Sequence, residues 1–229
     1  MKSITLTGLT LSHEQIVAVA YGASVELDKS KLIAVAKTAE FLAEQVKQQQ
    51  PLYGVSTGFG SNADKLLGAH HIRASNKTDE TLLEELQRNL IITHAVCVGE
   101  PFSSEVVRAM MVIRINTLMR GHSGIRVETL QALTSMLNAG IVPIVPQLGS
   151  VGASGDLAPL SHLAIVMLGG GEAFYQGRRI PGAQALQEAG LIPIKLSHKE
   201  GLALNNGTAQ MLATGVLAVA RLEELCDTA

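Results

Sequence analysis

The segment that most constrains this chain runs from Gly149 to Leu160 and reads Gly-Ser-Val-Gly-Ala-Ser-Gly-Asp-Leu-Ala-Pro-Leu. Gly152 and Gly155 allow backbone angles that are closed to other residues. Asp156 and Pro159 are typical of the first turn of a helix, where an acidic side chain and a missing N–H are both tolerated. The pattern therefore predicts a tight loop that ends at the N-terminus of a helix.

The centre of this loop, Ala153-Ser154-Gly155, can form an electrophile from its own backbone. If the loop is held tightly, the Gly155 nitrogen can attack the Ala153 carbonyl carbon, and loss of two water molecules leaves a five-membered ring. That ring is 4-methylideneimidazole-5-one (MIO), and its methylene comes from Ser154. Free N–H groups at the start of the following helix would stabilise negative charge on it. Ala-Ser-Gly alone also occurs by chance, and the alternative is an ordinary turn before a helix.

Two further motifs make chance less plausible: Tyr-Gly-Val-Ser-Thr-Gly-Phe-Gly at 53–60 and Lys-Glu-Gly-Leu-Ala-Leu-Asn-Asn-Gly-Thr at 199–208. With the loop at 149–160, they resemble the histidine and phenylalanine ammonia-lyase family, and the similarity runs from about Leu9 to the last residue. The resemblance implies non-oxidative elimination of ammonia from an aromatic α-amino acid, with MIO as the cofactor and no metal.

The resemblance also implies roles for individual residues. The ring from Ala153, Ser154 and Gly155 would be the electrophile, and Tyr53 matches the tyrosine base of the family. An unperturbed phenol titrates near ~10, so Tyr53 would need activation by its surroundings. Gly60 would let the backbone approach the substrate closely.

Asn206 aligns with the active-site asparagine of the family, whose amide can bond the ring carbonyl or the substrate. Asn205 occupies a position that is usually apolar in the family, and we expect a structural role for it. The alternative for both asparagines is N-capping of the last helix.

His94 is the residue that bears most on which aromatic amino acid is the substrate. The pair Thr93-His94 lies within a helical run from Leu86 to Val98 and resembles the Ser-His pair of histidine ammonia-lyases. The resemblance implies that His94 binds substrate and that histidine is converted to urocanate. Tyrosine aminomutases also carry Ser-His there, and the chain departs from the histidine-specific pattern at 147–148 and 209–210. Phenylalanine or tyrosine ammonia-lyase and MIO-dependent aminomutase therefore remain alternatives.

Composition excludes other classes of function. A net charge of -2 and 3% aromatic residues provide neither a basic face nor a stacking platform for nucleic acid. Cys97 and Cys226 are the two cysteines, which is typical of a reducing compartment, and no CxxC spacing suggests a metal. No run approaches the ~18 apolar residues of a membrane span. We expect a cytoplasmic protein with a small amino acid as its ligand and no membrane or nucleic-acid partner.

Hydrophobic periodicity predicts a mainly α fold with one small β hairpin that turns at Gly177. The resemblance implies that residues 1–205 form the MIO-bearing N-terminal domain and residues 206–229 the first part of a central helical bundle. Family members are roughly twice as long, so we expect an N-terminal portion that ends within a helix. Because active sites in the family are built from several subunits of a homotetramer, this portion alone is expected to be inactive, and a non-catalytic folded fragment is the third hypothesis.

The predicted helical segments follow the apolar pattern and its caps. They comprise a short helix after Ser12, a long one opening at Asp28 or Ser30, and segments at Asp79 to about Val98, Ser104 to Met119, Val127 to Asn138 and Met211 to Ala229.

Overall fold

Helices make up most of the fold in the computed structural model, which describes residues 3–48, 52, 79–153 and 155–229. This confirms the mainly α prediction. The helices are α1 (His13–Ala20), α2 (Lys29–Lys47), α3 (Asp79–His94), α4 (Ser104–Leu118), α5 (Val127–Asn138), α6 (Leu157–Met167), α7 (Gly182–Glu188), α8 (Glu200–Asn205) and α9 (Ala209–Thr228).

Capping side chains explain where the first two helices begin. The Ser12 hydroxyl accepts a hydrogen bond from the backbone N–H of Gln15, and the Gln15 side chain accepts one from the N–H of Ser12, as in a capping box. Asp28 caps α2 by accepting from the N–H of Ser30. Both predicted helix starts are confirmed.

Short strands form three small sheets in the described part of the chain. The parallel pair is β1 (Ile4–Leu6) with β2 (Val25–Leu27), and β3 (Val98–Pro101) pairs antiparallel with β5 (Pro146–Leu148). The antiparallel three-stranded sheet is β4 (Val142–Pro143), β6 (Glu172–Tyr175) and β7 (Arg178–Pro181).

The predicted hairpin is confirmed as β6 and β7, with Gly177 at a positive φ of 75° in the turn. The prediction that it is the one β element was wrong. The other strands have two to four residues and pair with distant segments, so neither their length nor their local pattern distinguishes them from loops. The pairing of β3 also ends α3 at His94 rather than near Val98, because the chain must extend to reach β5.

The core is centred on α4, which is buried on every side from Val107 to Ile115. Such a helix needs neighbours all round, and α1, α5 and α9 supply them. Arg108 is buried within α4 and donates to three backbone carbonyls, those of Val19, Leu137 and Ala23, at 2.8, 3.1 and 3.2 Å.

The packing of α9 against α4 fixes the position of the 199–208 motif next to α6. The domain boundary between residues 205 and 206 stays a prediction. Among the described helices, none combines the length and the apolar character that crossing a bilayer requires.

Candidate active site

The loop that precedes α6 doubles back on itself. Val151 and Gly155 form an isolated antiparallel bridge, and Gly152 and Ala153 make the turn between them. Gly155 is buried with a φ of 119°, a conformation that residues with a side chain rarely adopt. The expected tight loop at a helix N-terminus is therefore confirmed, since α6 begins two residues later at Leu157.

Asp156 ties this loop to the start of α9. The residue is fully buried, and its Oδ1 accepts from the Ser150 hydroxyl at 2.6 Å while Oδ2 accepts from the backbone N–H of Met211 at 3.0 Å. Its own N–H donates to the Gly207 carbonyl at 2.6 Å. One residue thus holds the loop at its beginning and end and joins it to the 199–208 motif.

Asn206 lies directly against the loop. A Cβ built on Gly155 would overlap the Oδ1 of Asn206, so only glycine leaves room for this amide. Asn206 ends α8 in an extended conformation, and the residue at the N-cap of α9 is Thr208 without a side-chain capping bond. The structure therefore brings Asn206 and Gly155 together, and the N-capping alternative was wrong.

Asn205 points into the protein instead. It is fully buried, and its Nδ2 donates to the hydroxyl of Ser161 on α6 at 3.1 Å, while its Oδ1 has no partner among the described residues. The bond joins α8 to α6, the helix that follows the loop. The structural or supporting role expected for Asn205 stays a prediction, and its bond to Ser161 supports it.

His94 closes α3 and is half-buried. Its Nδ1 lies 2.8 Å from the carbonyl oxygen of Leu90. Because a carbonyl can only accept, Nδ1 is the donor in this hydrogen bond, and in the tautomer that carries its only ring proton there, Nε2 is an acceptor.

Packing next to His94 connects α3 to the loop. Three residues further on, the buried Cys97 donates its N–H to Nε2 of His162 on α6 at 3.1 Å. A Cβ on Gly149 would lie 2.5 Å from the Cys97 sulfur, so the lead-in to the loop rests on this side chain. Burial raises the pKa of the Cys97 thiol to about 11 and lowers the pKa of His162. Both groups are therefore neutral near pH 7 and act in packing and hydrogen bonding.

Buried charges hold both ends of α8. Glu200 at its N-terminal end accepts from the side chain and backbone of Arg126, from the Thr129 hydroxyl and from the N–H of Ser197. At its C-terminal end, Nη2 of the buried Arg114 donates to the Ala203 carbonyl. The helix that carries Asn206 is therefore fixed by side chains from α4 and α5.

A surface cavity of about 510 Å³ opens on another side of Asn206. Its lining includes the basic side chains Arg114, His122 and Lys199. Burial lowers the pKa of Arg114 to about 10, so the guanidinium keeps its charge at neutral pH. The positive charges of Arg114 and Lys199 favour an anionic group near Asn206.

Three of the residues assigned from the sequence, Tyr53, Gly60 and Ser154, lie outside the described residues. Ala153, Gly155, His94 and Asn206 lie within them. In the part of the chain that the structure covers, no three His, Cys, Asp or Glu side chains are grouped as metal ligands would be.

Comparison with known proteins now fixes the family. The model of the aromatic amino acid lyase family matches residues 11–229. The chain belongs to this family. Histidine ammonia-lyase of Natranaerobius thermophilus is 45% identical over 227 residues, which cover 99% of the chain and 43% of that enzyme.

Two solved structures share the fold. Ergothionase from Treponema denticola, an ergothioneine-degrading enzyme, superposes with a TM-score of 0.90 at 31% identity over 98% of this chain and 43% of its own. Phenylalanine aminomutase from Pantoea agglomerans gives 0.89 at 36% identity, over 99% of this chain and 42% of its own. The chain spans about two fifths of the length of the lyases it matches, and the family is of the MIO-dependent type.

The sequence patterns leave out four residues that build the candidate site, namely Asp156, Arg114, Glu200 and Cys97. Asp156 was interpreted only as a helix-start residue, although an acid next to a loop of small residues is a candidate anchor. Arg114 carries its charge within an apolar stretch, between Ile113 and Ile115, which is the signal of a buried polar network. Glu200 follows the polar run Ser197-His198-Lys199, so its local sequence does not mark it as buried. No local signal indicated the contact of Cys97 with Gly149.

Proposed function

We propose that this chain is the MIO-bearing part of an ammonia-lyase that eliminates ammonia from an aromatic amino acid, with histidine as substrate and urocanate as product. The observation that carries the proposal is the contact of Asn206 with Gly155 in a loop that already doubles back. Family membership and the 45% identity to a histidine ammonia-lyase support it.

The loop fits the cyclisation that MIO requires. The Gly155 nitrogen would bond to the Ala153 carbonyl carbon, and the carbonyl oxygen would leave as water with the protons of the Gly155 and Ser154 amides. A second water would form from the Ser154 hydroxyl and its α-proton, which leaves the methylene. The bridge between Val151 and Gly155 keeps the chain bent around Ala153, and the missing Cβ at Gly155 leaves the path of attack open.

Asp156 favours this ring closure by holding the loop in its bent form. Since its carboxylate and its N–H bond Ser150, Met211 and Gly207, the backbone cannot relax away from the bent form without losing three hydrogen bonds. Once formed, the ring would supply an electrophile that converts the substrate's amino group into a leaving group. We assign Asn206 to hold the ring carbonyl or the substrate by its amide, and Tyr53 to remove the β-proton.

His94 supports histidine as the substrate. With Nδ1 donating to Leu90, the tautomer protonated only at Nδ1 has an acceptor at Nε2 that can receive the N–H of a substrate imidazole. A phenyl ring has no N–H to offer, so the same acceptor would be left without a partner by phenylalanine. We therefore propose His94 as the residue that selects the substrate side chain, and Gly60 as a backbone contact to it.

The test is turnover by the full-length subunit with histidine, phenylalanine and tyrosine. Absorbance of the conjugated acid measures elimination, and chromatography of β-amino acids detects an aminomutase. We expect urocanate from histidine and no product from Ser154→Ala, which keeps the fold but cannot supply the methylene. Undiminished turnover by Ser154→Ala would refute the ring as electrophile, and a β-amino acid product would favour the aminomutase alternative.

Exposed apolar residues on α9 support assembly into a homo-oligomer. The resemblance to the family implies that this oligomer is a tetramer. Val219, Leu222 and Leu225 lie on the outer side of this helix, 44%, 59% and 65% exposed. Apolar side chains spaced three residues apart form a stripe suited to another helix. Light scattering of the full-length protein tests this, and a monomer would refute it. A cytoplasmic location without membrane or nucleic-acid partners stays a prediction.

A further inference from the structure

Arg114 has no role in the elimination as proposed above, yet it lies at the junction that carries Asn206. The residue is 4% exposed, and its Nη2 donates to the carbonyl of Ala203 in the last turn of α8. A Cβ added to Gly207 would overlap its Nη1. The guanidinium therefore fills the space where α8 ends and the chain turns toward α9.

A charged side chain as deeply buried as Arg114 is unusual. Among the described residues, no carboxylate pairs with Arg114, and its Nε has no hydrogen-bond partner. A buried cation without a counter-charge is costly, and carbonyl oxygens at a helix C-terminus compensate only part of that cost. Within the described part of the chain, the guanidinium therefore acts through its contacts with the backbone at the end of α8.

The turn that Arg114 contacts bears on the ring-forming loop. The Gly207 carbonyl accepts from the N–H of Asp156 at 2.6 Å, and the Asn206 amide lies against Gly155. A shift of the guanidinium would therefore move two residues that touch the loop.

We propose that Arg114 is a positioning residue that holds the Asn206–Gly207 turn against the backbone of Gly155 and Asp156, and so sets the rate at which the loop closes into its ring. The inference rests on the proposed function, because it assumes that the loop cyclises. In this proposal Arg114 acts through the turn and not by contact with the ring-forming atoms.

The chain offers a matched control in Arg108. It is the same residue type on the same helix, is also buried, and also donates to backbone carbonyls, but those carbonyls lie in α1, in the residues after α1 and in α5. Wild type, Arg114→Met, Arg114→Lys and Arg108→Met would be produced in a cell-free system, and intact mass would be followed over time for the loss of two waters. Urea unfolding would measure the stability of each.

We expect Arg114→Met to cyclise on the order of 10- to 100-fold more slowly, as displacements of about 1 Å do in positioned reactions. Arg114→Lys should be similarly slow, since lysine keeps the charge but lacks the planar fork. Arg108→Met should cyclise at the wild-type rate despite its loss of stability.

A second pair of variants decides the matter if Arg114→Met does not fold. Gly207→Ala keeps the arginine but drives its Nη1 away, and Gly207 does not have the positive φ that would strain alanine. Gly215→Ala on α9 is its control, because a Cβ there meets nothing within 4 Å. We expect slow cyclisation for the first and the wild-type rate for the second.

Wild-type rates in the Arg114 and Gly207 variants, or equal slowing in Arg108→Met, would overturn this inference alone. A wild-type rate in Arg114→Lys alone would also overturn it, because charge rather than the fork would then suffice. A wild-type chain that never loses two water masses would overturn the proposed function and, with it, this inference.

Discussion

Glu200→Gln tests whether the buried carboxylate at the start of α8 holds the site together. Its Oε1 accepts from the N–H and Nε of Arg126 and the hydroxyl of Thr129, at 3.0, 3.1 and 2.7 Å. Its Oε2 accepts from Nη2 of Arg126 and the N–H of Ser197, at 2.8 and 2.7 Å. Glutamine keeps one oxygen, so its best placement leaves an NH₂ facing the two donors at the Oε2 position.

The expected decrease in the free energy of unfolding follows from the loss of those two hydrogen bonds. Hydrogen bonds to a charged group contribute about 1.5–3 kcal/mol each. The Arg126 side chain is 41% exposed and can be rehydrated, so the loss falls at the low end, about 3 kcal/mol in the free energy of unfolding. For a chain of this size that corresponds to a Tm lower by about 6–12 °C.

Thermal unfolding followed by circular dichroism measures this shift. Glu172→Gln is the matched control, because Glu172 bonds Arg179 in the same way but both side chains are about half exposed, at 48% and 50%. Exposed ion pairs contribute little, so its Tm should hardly move. Equal shifts in the two variants would refute the argument that burial makes the Glu200 network stabilising.

The remaining predictions concern the groups next to the loop. Burial lowers the pKa of His162 in the folded state. The neutral ring therefore contributes stability at pH values above the unfolded pKa of about 6.5. That contribution is lost as the pH falls from about 6.5 through the lower pKa of the folded state. Urea unfolding of wild type and His162→Gln between pH 7 and 5 checks this, and identical slopes with pH would contradict it. With a pKa of about 11 and a buried sulfur, Cys97 should resist alkylation at pH 8 while the exposed Cys226 reacts. Peptide mapping after iodoacetamide treatment measures both, and equal labelling would show that Cys97 is not packed as described. Asp156→Asn removes one of the oxygens that hold the loop and should lower the cyclised fraction about tenfold or more. Mass spectrometry measures that fraction, and a wild-type value would exclude Asp156 as the anchor.

Helices and the central motif could be predicted because their signals are local. Ser12 and Asp28 begin helices through hydrogen bonds from residues two or three positions ahead. The helix predicted from the apolar pattern at Val127 to Asn138 begins and ends at those residues in the structure. The loop at 149–155 was indicated by its glycines, and its bend is a property of those residues.

Contacts between distant segments could not be predicted in the same way. The bond of Glu200 with Arg126 joins residues 74 positions apart, and that of Cys97 with His162 joins residues 65 apart. The short strand β3 forms only because β5 lies beside it. Such pairings depend on which helices pack against α4 in the core, and hydrophobic periodicity does not specify those helices.

The central claim is that Ala153, Ser154 and Gly155 close into a ring. Intact mass spectrometry of this chain beside its Ser154→Ala variant tests it most directly. The account predicts that the wild-type chain is lighter than its sequence by two water molecules and that the variant has its full sequence mass. A folded wild-type chain with its full sequence mass would contradict the account.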